Sequence, residues 1–333
     1  MFDKVRESDQ KVFPAAWYAV AWSKDVDTSP IKRRLLGKDL VLYRNPAGSV
    51  SAIHAYCPHR GADLSLGSCR DGQLVCPYHA WRFDTDGRCI EIPAHPNRPI
   101  PAFAHTFTYP VTERAGLLWV YPQANDKGST AAAPDLQMFP ELEDQQYTAA
   151  PYAAIWRAHL TRVIESVIDV AHVPIVHRAT IGKKSKEEIQ ITFEADGDHI
   201  QVKNGSGLLH YQFPQQWILT IPDQTRNKIY NYVTFTPIDE NKTAIFGLAG
   251  RSFAKAVPGM NRIFSRYSAK VLEEDRALVE SQHPRPIPEA LRMEAHVPAD
   301  GPQVRFRQRW YEFLTGDEQK IRLDGLRCDA EHQ

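Results

Sequence analysis

The sequence of 333 residues has few cysteines, no excess of either charge and no long apolar run. Its five cysteines are an odd number, which excludes a fold stapled by disulfides. The 40 Lys and Arg residues balance the 40 Asp and Glu residues, which excludes a general nucleic-acid binder with a basic excess. No apolar run approaches the roughly 20 residues of a membrane helix, and the first residues lack the apolar core of a secretory signal. These absences predict a cytoplasmic protein that binds neither nucleic acid nor membrane.

The first third of the chain contains short apolar runs that are typical of β-strands. Residues 40–43 and 50–53 are rich in β-branched and aromatic side chains and are separated by a turn-forming Asn-Pro-Ala-Gly sequence. Residues 116–121 form another apolar run, closed by a proline. Short strands between turns predict a small β-barrel or sandwich.

The length predicts about two domains. A polar stretch of small residues at 125–134 is interpreted as a linker. The first domain would then cover residues 1–124 and the second residues 135–333. The second part mixes strand patterns with two helical patterns, which predicts an α+β domain.

Four potential metal ligands form the pattern C-x-H followed by C-x2-H. Cys57 and His59 precede Cys76 and His79 by sixteen intervening residues. Two thiolates and two imidazoles suit zinc or an iron–sulfur centre. A zinc finger usually takes both cysteines from one loop, whereas here each loop supplies one cysteine and one histidine. This favours a [2Fe–2S] cluster with the cysteines on one iron and the histidines on the other, and a structural zinc site is the alternative.

The residues around these ligands resemble the Rieske domain of the aromatic ring-hydroxylating, or Rieske non-haem iron, oxygenases. The similarity covers residues 57–62 and 76–81. Respiratory Rieske proteins carry an additional cysteine in each loop, at the places of Ala62 and Tyr78, so the similarity favours the oxygenases. Ala80 stands where that family usually has glycine, which restricts the backbone of the second loop. The remaining cysteines are interpreted as ordinary reduced thiols: Cys69, Cys89 and Cys328.

A second constellation lies between residues 165 and 177. On a helix, Glu165, Asp169 and His172 would share one face. His177 would point about 140° away from His172, so a straight helix could not aim both imidazoles at one ion. Pro174 lies between them and is predicted to break or kink the helix. Two histidines and a carboxylate form the facial triad of non-haem Fe(II) oxygenases.

The carboxylate of the triad must come from another segment. Residues 264–282 predict a helix in which Asp275 falls within about 20° of the centre of the apolar stripe. A carboxylate that points into a core is costly unless it is paired or binds a metal. Asp275 is therefore the predicted third ligand, Glu274 is the second choice, and a buried salt-bridged aspartate is the alternative. The apolar stripe consists of Phe264, Tyr267, Val271, Leu272, Leu278 and Val279.

The same segments resemble two further motifs of the oxygenase family. Residues 165–177 match E/D-x3-D-x2-H-x4-H, and residues 274–280 match E-D-x3-V-E. The resemblance implies that His172, His177 and Asp275 bind the mononuclear iron.

The resemblance also concerns two further carboxylates in these motifs. It implies that Asp169 links His172 to the cluster ligand His79 of a neighbouring subunit. The role of Glu165 stays open between a structural carboxylate and a functional one.

The resemblance covers nearly the whole chain, including residues 304–310, and is closest to the compact oxygenases. These include vanillate O-demethylases, methylxanthine N-demethylases and guanidinium-alkaloid hydroxylases. It implies an N-terminal all-β Rieske domain and a C-terminal helix-grip-like catalytic domain with an antiparallel sheet. The implied cofactors are a [2Fe–2S] cluster and Fe(II), and the implied assembly is a homotrimer.

The implied activity is hydroxylation or oxidative demethylation of a small organic substrate with dioxygen. Electrons would come from a separate NAD(P)H reductase or ferredoxin, since the chain has no dinucleotide fingerprint. Three alternatives are a cis-dihydroxylating dioxygenase, a Rieske electron-transfer protein without oxygenase activity and a zinc-bearing binding module.

Overall fold

A computed structural model describes residues 11–27, 29–123, 133–183, 191–222 and 226–323. This part of the chain divides into two compact units. The small unit holds the described residues between 15 and 136, and the large unit holds residues 11–14 and those from 137 onward. Most of the predicted linker, and Cys328, lie outside the described residues.

The domain limits expected from the sequence differ from these units at one end. Residues 11–14 were expected in the first domain, but they belong to the large unit. The reason is that strand β1 (Val12–Pro14) pairs with strand β20 (Lys320–Arg322). Because strand pairing depends on hydrogen bonds between distant parts of the chain, no local sequence signal marks it.

The small unit is all β, as the apolar runs predicted. Its strands form three antiparallel sheets, with the orders β10-β5-β4-β3, β11-β12-β2 and β6-β7-β8-β9. The predicted runs lie in β4, β5 and β12. The strands are β2 (Tyr18–Trp22), β3 (Ile31–Leu35), β4 (Lys38–Arg44), β5 (Val50–His54), β6 (Ser68–Arg70), β7 (Gln73–Val75), β8 (Arg82–Phe83), β9 (Cys89–Glu91), β10 (Thr108–Tyr109), β11 (Val111–Arg114) and β12 (Leu117–Val120).

The large unit is built on one antiparallel sheet of seven strands, in the order β13-β19-β18-β17-β16-β15-β14. Among the described residues, no helix is both long and apolar enough to cross a membrane. The strands are β13 (Thr148–Trp156), β14 (Thr192–Asp196), β15 (His199–Asn204), β16 (Gly207–Gln212), β17 (Gln216–Thr220), β18 (Ile229–Asp239) and β19 (Lys242–Arg251). The helices are α1 (Leu160–Ile168), α2 (Val173–Val176), α3 (Met260–Ser281) and α4 (Gly301–Thr315).

The long helix α3 packs against β13 and β19, which is the helix-grip-like arrangement expected from the resemblance. Close packing on this side of the sheet requires glycine in β19, because a Cβ at Gly247 would lie 2.2 Å from the ring of Tyr152. The apolar stripe of α3 is narrower than predicted. Asp275 is buried as expected, whereas Tyr267 and Leu278 are 50% and 53% exposed.

Candidate metal centres

The three predicted ligands of the mononuclear metal meet in the large unit. His172 directly precedes α2, His177 directly follows it, and Asp275 lies on α3. The Nε2 atoms of the two imidazoles are 3.2 Å apart. The Oδ1 atom of Asp275 lies 3.4 Å from Nε2 of His172 and 3.2 Å from Nε2 of His177.

This triangle of donor atoms has the size that one metal ion requires. Donors about 2.1 Å from an ion lie about 3.0 Å apart at right angles and about 3.4 Å apart in a tetrahedron. Three protein ligands leave other positions of the ion open for small molecules. Zinc accepts the same donors, so these three residues fit either Fe(II) or zinc.

Each imidazole also has a carboxylate at its outer nitrogen. Nδ1 of His172 lies 3.5 Å from Oδ2 of Asp169. Nδ1 of His177 lies 2.9 Å from Oε2 of Glu274, which also accepts a hydrogen bond of 2.6 Å from the hydroxyl of Thr180. A carboxylate at Nδ1 holds the proton on that nitrogen and leaves Nε2 free to bind a metal. Glu274, the second choice as a ligand, therefore supports a ligand instead.

The carboxylates increase the proton affinity of both imidazoles. Burial would lower the pKa of His172, but hydrogen bonds to Asp169 and Asp275 outweigh it and raise the pKa to about 9. Burial likewise opposes the hydrogen bonds of His177 to Asp275 and Glu274, and the net effect is a raised pKa. A metal must displace these protons, because only the neutral imidazole is a ligand.

The helix was expected to continue through His172 and to break or kink at Pro174, but the structure breaks it earlier, between α1 and α2. Helix α1 ends at Ile168, and Asp169 has an extended backbone with φ −68° and ψ 127°. Oδ1 of Asp169 accepts a hydrogen bond of 2.7 Å from the backbone N–H of Ala171, which turns the chain. Pro174 lies in the first turn of α2, where its missing N–H has no cost. The two histidines thus flank a separate one-turn helix.

Two tight loops of the small unit carry the cluster ligands. We call residues 57–62 the first cluster loop and residues 76–81 the second cluster loop. The N–H of Cys57 donates to the carbonyl of Ala62 at 2.9 Å, and the N–H of Cys76 donates to the carbonyl of Trp81 at 2.8 Å. Burial raises the pKa of the Cys57 thiol to about 12, so its thiolate depends on a metal for stabilisation.

The donors of these loops form two pairs. The ring centroids of His59 and His79 are 4.5 Å apart, and the thiols of Cys57 and Cys76 interact with each other. The four do not converge on one ion, because the ligands of the large unit are the only group of three or more donors within 4.8 Å among the described residues. Separate thiol and imidazole pairs fit a two-iron cluster better than one zinc ion.

The surroundings of the first imidazole are consistent with a bound metal. His59 stacks on Trp81, with ring centroids 4.5 Å apart and an angle of 5° between the rings. Its Nδ1 atom is buried and has no hydrogen-bond partner among the described residues. A buried nitrogen without a partner is costly, and a metal bond would satisfy it. Ala80 has a left-handed backbone with φ 56°, the conformation that explains why glycine is usual there.

Two family models match the two units in chain order. The Rieske [2Fe-2S] domain matches residues 16–110, and the vanillate O-demethylase oxygenase C-terminal domain matches residues 204–315. The chain therefore carries a Rieske [2Fe-2S] domain followed by a vanillate O-demethylase oxygenase C-terminal domain. The two donor sets fit the cofactors expected from the sequence, a [2Fe–2S] cluster and Fe(II). The structural-zinc alternative for the cluster loops is therefore wrong.

Curated relatives of this chain include two O-demethylase components. The vanillate O-demethylase oxygenase subunit of a Pseudomonas species is 31% identical over 57% of this chain and 52% of its own length. The dicamba O-demethylase oxygenase component of Stenotrophomonas maltophilia is 34% identical over 49% of this chain and 47% of its own length. The chain thus spans about half the length of the curated relatives it matches.

Solved oxygenase structures share the fold. Dicamba monooxygenase bound to dicamba matches with a TM-score of 0.78 at 24% identity, over 90% of this chain and 97% of the other. NdmA of Pseudomonas putida CBB5 matches with a TM-score of 0.78 at 23% identity, over 95% and 97% of the two chains. These matches confirm the predicted architecture of a Rieske domain followed by a helix-grip-like domain.

Glu165, whose role the sequence left open, lies in a network of four charges, of which Glu294 is partly exposed and the other three are buried. Arg162 donates to Glu165 at 3.1 Å and to Glu294 at 2.8 Å. Arg307 of α4 donates to Glu165 and, at 2.6 Å, to Glu294. Two positive and two negative charges cancel, and both carboxylate oxygens of Glu165 accept hydrogen bonds from arginine. The network ties α1 to α4. Arg162 lies on the same helix as Glu165, three residues earlier, whereas Arg307 is 142 residues away and could not be paired with Glu165 from the sequence.

A cavity of about 280 Å³ lies beside this network and reaches the metal site. Its wall includes Asp169, His172 and Asp275, together with Gln303 and Arg307. The Nη1 atom of Arg307 and the Oε1 atom of Gln303 are buried and lack hydrogen-bond partners among the described residues. The cavity therefore approaches the metal ligands beside Asp169 and has unused donor and acceptor groups in its wall.

We expect Asp275→Ala to lose the mononuclear iron and to retain the visible absorption of the [2Fe–2S] cluster. Glu274→Gln should keep the iron with an affinity about 10- to 100-fold lower, because only the support of His177 is weakened. Iron and sulfide analysis with titration of the refilled site would measure both effects. Retention of all iron by Asp275→Ala, or its complete loss from Glu274→Gln, would reverse the assignment of the two carboxylates.

The affinity of the metal-free protein for a divalent ion should increase with pH. The pKa of His172 is raised to about 9 in the absence of metal, so below that pH the ion must displace a proton. The apparent affinity should therefore increase by about tenfold per pH unit between pH 6 and 8 for each proton released, and level off above pH 9. Titration with Co²⁺ at each pH measures this slope.

Asp169→Asn is the matched control for that titration, because it removes one cause of the raised pKa. It should flatten the pH dependence of the metal affinity.

The stability of the metal-free fold has the opposite pH dependence. The stabilisation from His172 is complete below its unfolded pKa of about 6.5 and is lost as the pH rises through 9.

Proposed function

We propose that this chain is an oxygenase component that hydroxylates or oxidatively demethylates a small organic substrate with dioxygen. One observation carries this proposal: an iron site with open positions and a [2Fe–2S] site occur in one chain, and a carboxylate stands at the outer nitrogen of an iron ligand. The O-demethylase components among the relatives support the choice of reaction. An electron-transfer protein without oxygenase activity does not require the triad of His172, His177 and Asp275.

The residues of the chain have distinct tasks in this proposal. The bound iron supplies dioxygen chemistry and the bound cluster supplies single electrons. His172, His177 and Asp275 hold the iron from one side and leave its other side open. Glu274 keeps the proton of His177 on Nδ1. Asp169 keeps that of His172 on Nδ1 and presents the rest of its carboxylate to the cavity.

We further propose that Asp169 joins His172 to His79 of a second copy in a homotrimer. The Asp169 side chain is 29% exposed, so it can accept a second hydrogen bond. His79 is exposed at the tip of the second cluster loop, next to Tyr78, which is 66% exposed. An aromatic side chain exposed to this extent beside a redox ligand is typical of a docking surface.

The proposed electron donor is a separate NAD(P)H reductase or ferredoxin. The names of several relatives identify them as oxygenase components or subunits, which implies a further component in those systems. A cis-dihydroxylating activity is the second candidate. It is favoured by the similarity to the 3-chlorobenzoate-3,4-dioxygenase oxygenase subunit of Comamonas testosteroni, 31% identical over 45% of this chain and 34% of that one.

A single-turnover assay tests the reaction. The full-length protein is reduced with dithionite and mixed with labelled ¹⁸O₂ and one of three probes, vanillate, dicamba or caffeine. We expect formaldehyde with loss of CH₂, or a product with one added oxygen atom. Two added oxygen atoms would indicate the dihydroxylating alternative. About two irons per chain instead of about three, with no product, would indicate an electron carrier.

Asp169→Asn should retain both metals but slow the reoxidation of the prereduced protein by dioxygen. We expect a decrease of about 10- to 100-fold, because the amide cannot accept hydrogen bonds from two imidazole N–H groups as a carboxylate does. The rate is followed through the visible absorption of the cluster. Reoxidation and product formation at the normal rate would contradict the role given to Asp169.

Mixing two inactive variants tests transfer between copies. Cys57→Ala lacks the cluster and Asp275→Ala lacks the iron, so neither should give product alone. Subunit exchange between them should restore part of the activity if electrons pass from one copy to another. If transfer occurs within one chain, the mixed assembly stays inactive although its mass is normal and its iron content is the average of the two variants.

A further inference from the structure

Lys32 of β3 lies at the neck of the first cluster loop. The residues directly outside this loop are Tyr56 and Asp63, and they face each other as an isolated antiparallel bridge. Inside the loop, the N–H of Gly61 donates to the carbonyl of Cys57 at 2.8 Å. The two ends of the loop are therefore held together, and any group that binds both ends controls its geometry.

The ammonium group of Lys32 binds both ends. Nζ donates to the hydroxyl of Tyr56 at 2.9 Å and to Oδ2 of Asp63 at 3.0 Å. It also lies 3.5 Å from Oδ2 of Asp39 and 4.6 Å from the centre of the Tyr56 ring. The hydroxyl of Tyr56 in turn donates to Asp39 at 2.6 Å. Four side chains thus form a closed network around the neck.

The network also extends into the chain that follows the loop. Oδ1 of Asp63 accepts hydrogen bonds from the N–H and the hydroxyl of Ser65, at 2.9 and 2.7 Å. The Lys32 side chain is 32% exposed and those of Asp39 and Asp63 are 18% and 24% exposed. Partial burial weakens the screening of these charges by solvent and salt, so their effect reaches the loop.

The charge of Lys32 is permanent in the working pH range. The hydrogen bond to Tyr56 and the two carboxylates raise its pKa, against the opposing effect of burial. Reduction of a [2Fe–2S] cluster adds a negative charge, and the net charge around a cluster is one of the determinants of its potential. A fixed positive charge beside both ends of a ligand loop therefore favours the reduced state.

We propose that Lys32 is a positioning residue of the Rieske centre that also raises its reduction potential. It holds the neck of the first cluster loop closed through Tyr56 and Asp63, and it offsets the negative charge of the cluster. The proposal depends on the Rieske centre alone and not on the proposed oxygenase reaction. It assigns a function to a cation that is distant in sequence from all four cluster ligands.

The test is a redox titration of the full-length protein, followed by visible absorption and electron paramagnetic resonance. Lys32→Met keeps most of the side-chain volume and removes the charge. We expect the equilibrium constant for reduction to fall three- to tenfold, where tenfold corresponds to 59 mV for one electron.

Two further variants separate charge from loop geometry. Lys32→Arg keeps the charge and should remain within twofold of the wild type. Asp39→Asn removes a negative charge from the same network and should shift the equilibrium in the opposite direction to Lys32→Met. Shifts of Lys32→Met and Asp39→Asn in the same direction would mean that the loop has only been loosened, and would overturn the role of the charge.

Arg33→Met is the matched control, because Arg33 is the next residue of β3 and points to the other face of the strand. It should change the equilibrium by less than twofold. An unchanged potential in Lys32→Met, with the cluster absorption intact, overturns the proposal. If Lys32→Met does not fold, the opposite shift of Asp39→Asn still decides it.

The proposed closure of the loop neck is measured separately, as the rate of cluster loss in urea. Tyr56→Phe breaks two of the hydrogen bonds at the neck and should lose the cluster several-fold faster than the wild type. An unchanged rate would overturn the proposal that this network holds the neck of the loop closed. Absence of any [2Fe–2S] spectrum in the wild type would instead contradict the Rieske assignment itself.

Discussion

An imidazole can offer one ring nitrogen to a metal in a fixed direction only if its other nitrogen is held by an acceptor. This requirement accounts for much of the local structure of the large unit. Glu274 meets it for His177 and is itself held by Thr180. Asp169 meets it for His172, and the same carboxylate turns the backbone after α1 through the N–H of Ala171. The end of α1 and the orientation of a metal ligand therefore depend on one side chain.

The network of Arg162, Glu165, Glu294 and Arg307 extends this dependence to α4. Such a network contributes little net stability compared with apolar packing, but removing one member leaves an uncompensated buried charge at a cost of about 3–5 kcal/mol. Its position one helical turn before Asp169 gives it a structural use. It fixes the end of α1, from which the outer carboxylate of His172 projects.

The parts that could be predicted from the sequence are those that depend on local spacing. Cys57, His59, Cys76 and His79 were identified because each pair lies within one short loop, and the family resemblance supported them. Asp275 was identified from helical periodicity, because a carboxylate on the buried side of a helix requires a partner. The all-β first unit followed from its apolar runs and turn residues.

The parts that could not be predicted depend on distant contacts or on competition within a segment. Asp169 was expected inside a helix, but its side chain bonds to the backbone two residues later and so competes with helix formation. The partner of Glu165, Arg307, lies 142 residues away. The pairing of β1 with β20 joins the two ends of the large unit. Helical periodicity ranked Asp275 above Glu274 as the ligand, but only the three-dimensional arrangement shows that Glu274 contacts the outer nitrogen of His177.

The triad also has a topological consequence. About 100 residues separate His177 from Asp275, and strands β14 to β19 all lie between them. A single ion bound to both residues ties the two ends of the segment that forms most of the sheet. A covalent link across a loop of that length destabilises the unfolded chain by about 4.7 kcal/mol. A reversible link through a bound ion also favours the folded state. Iron bound at the predicted triad would therefore couple the occupancy of the metal site to the integrity of the sheet.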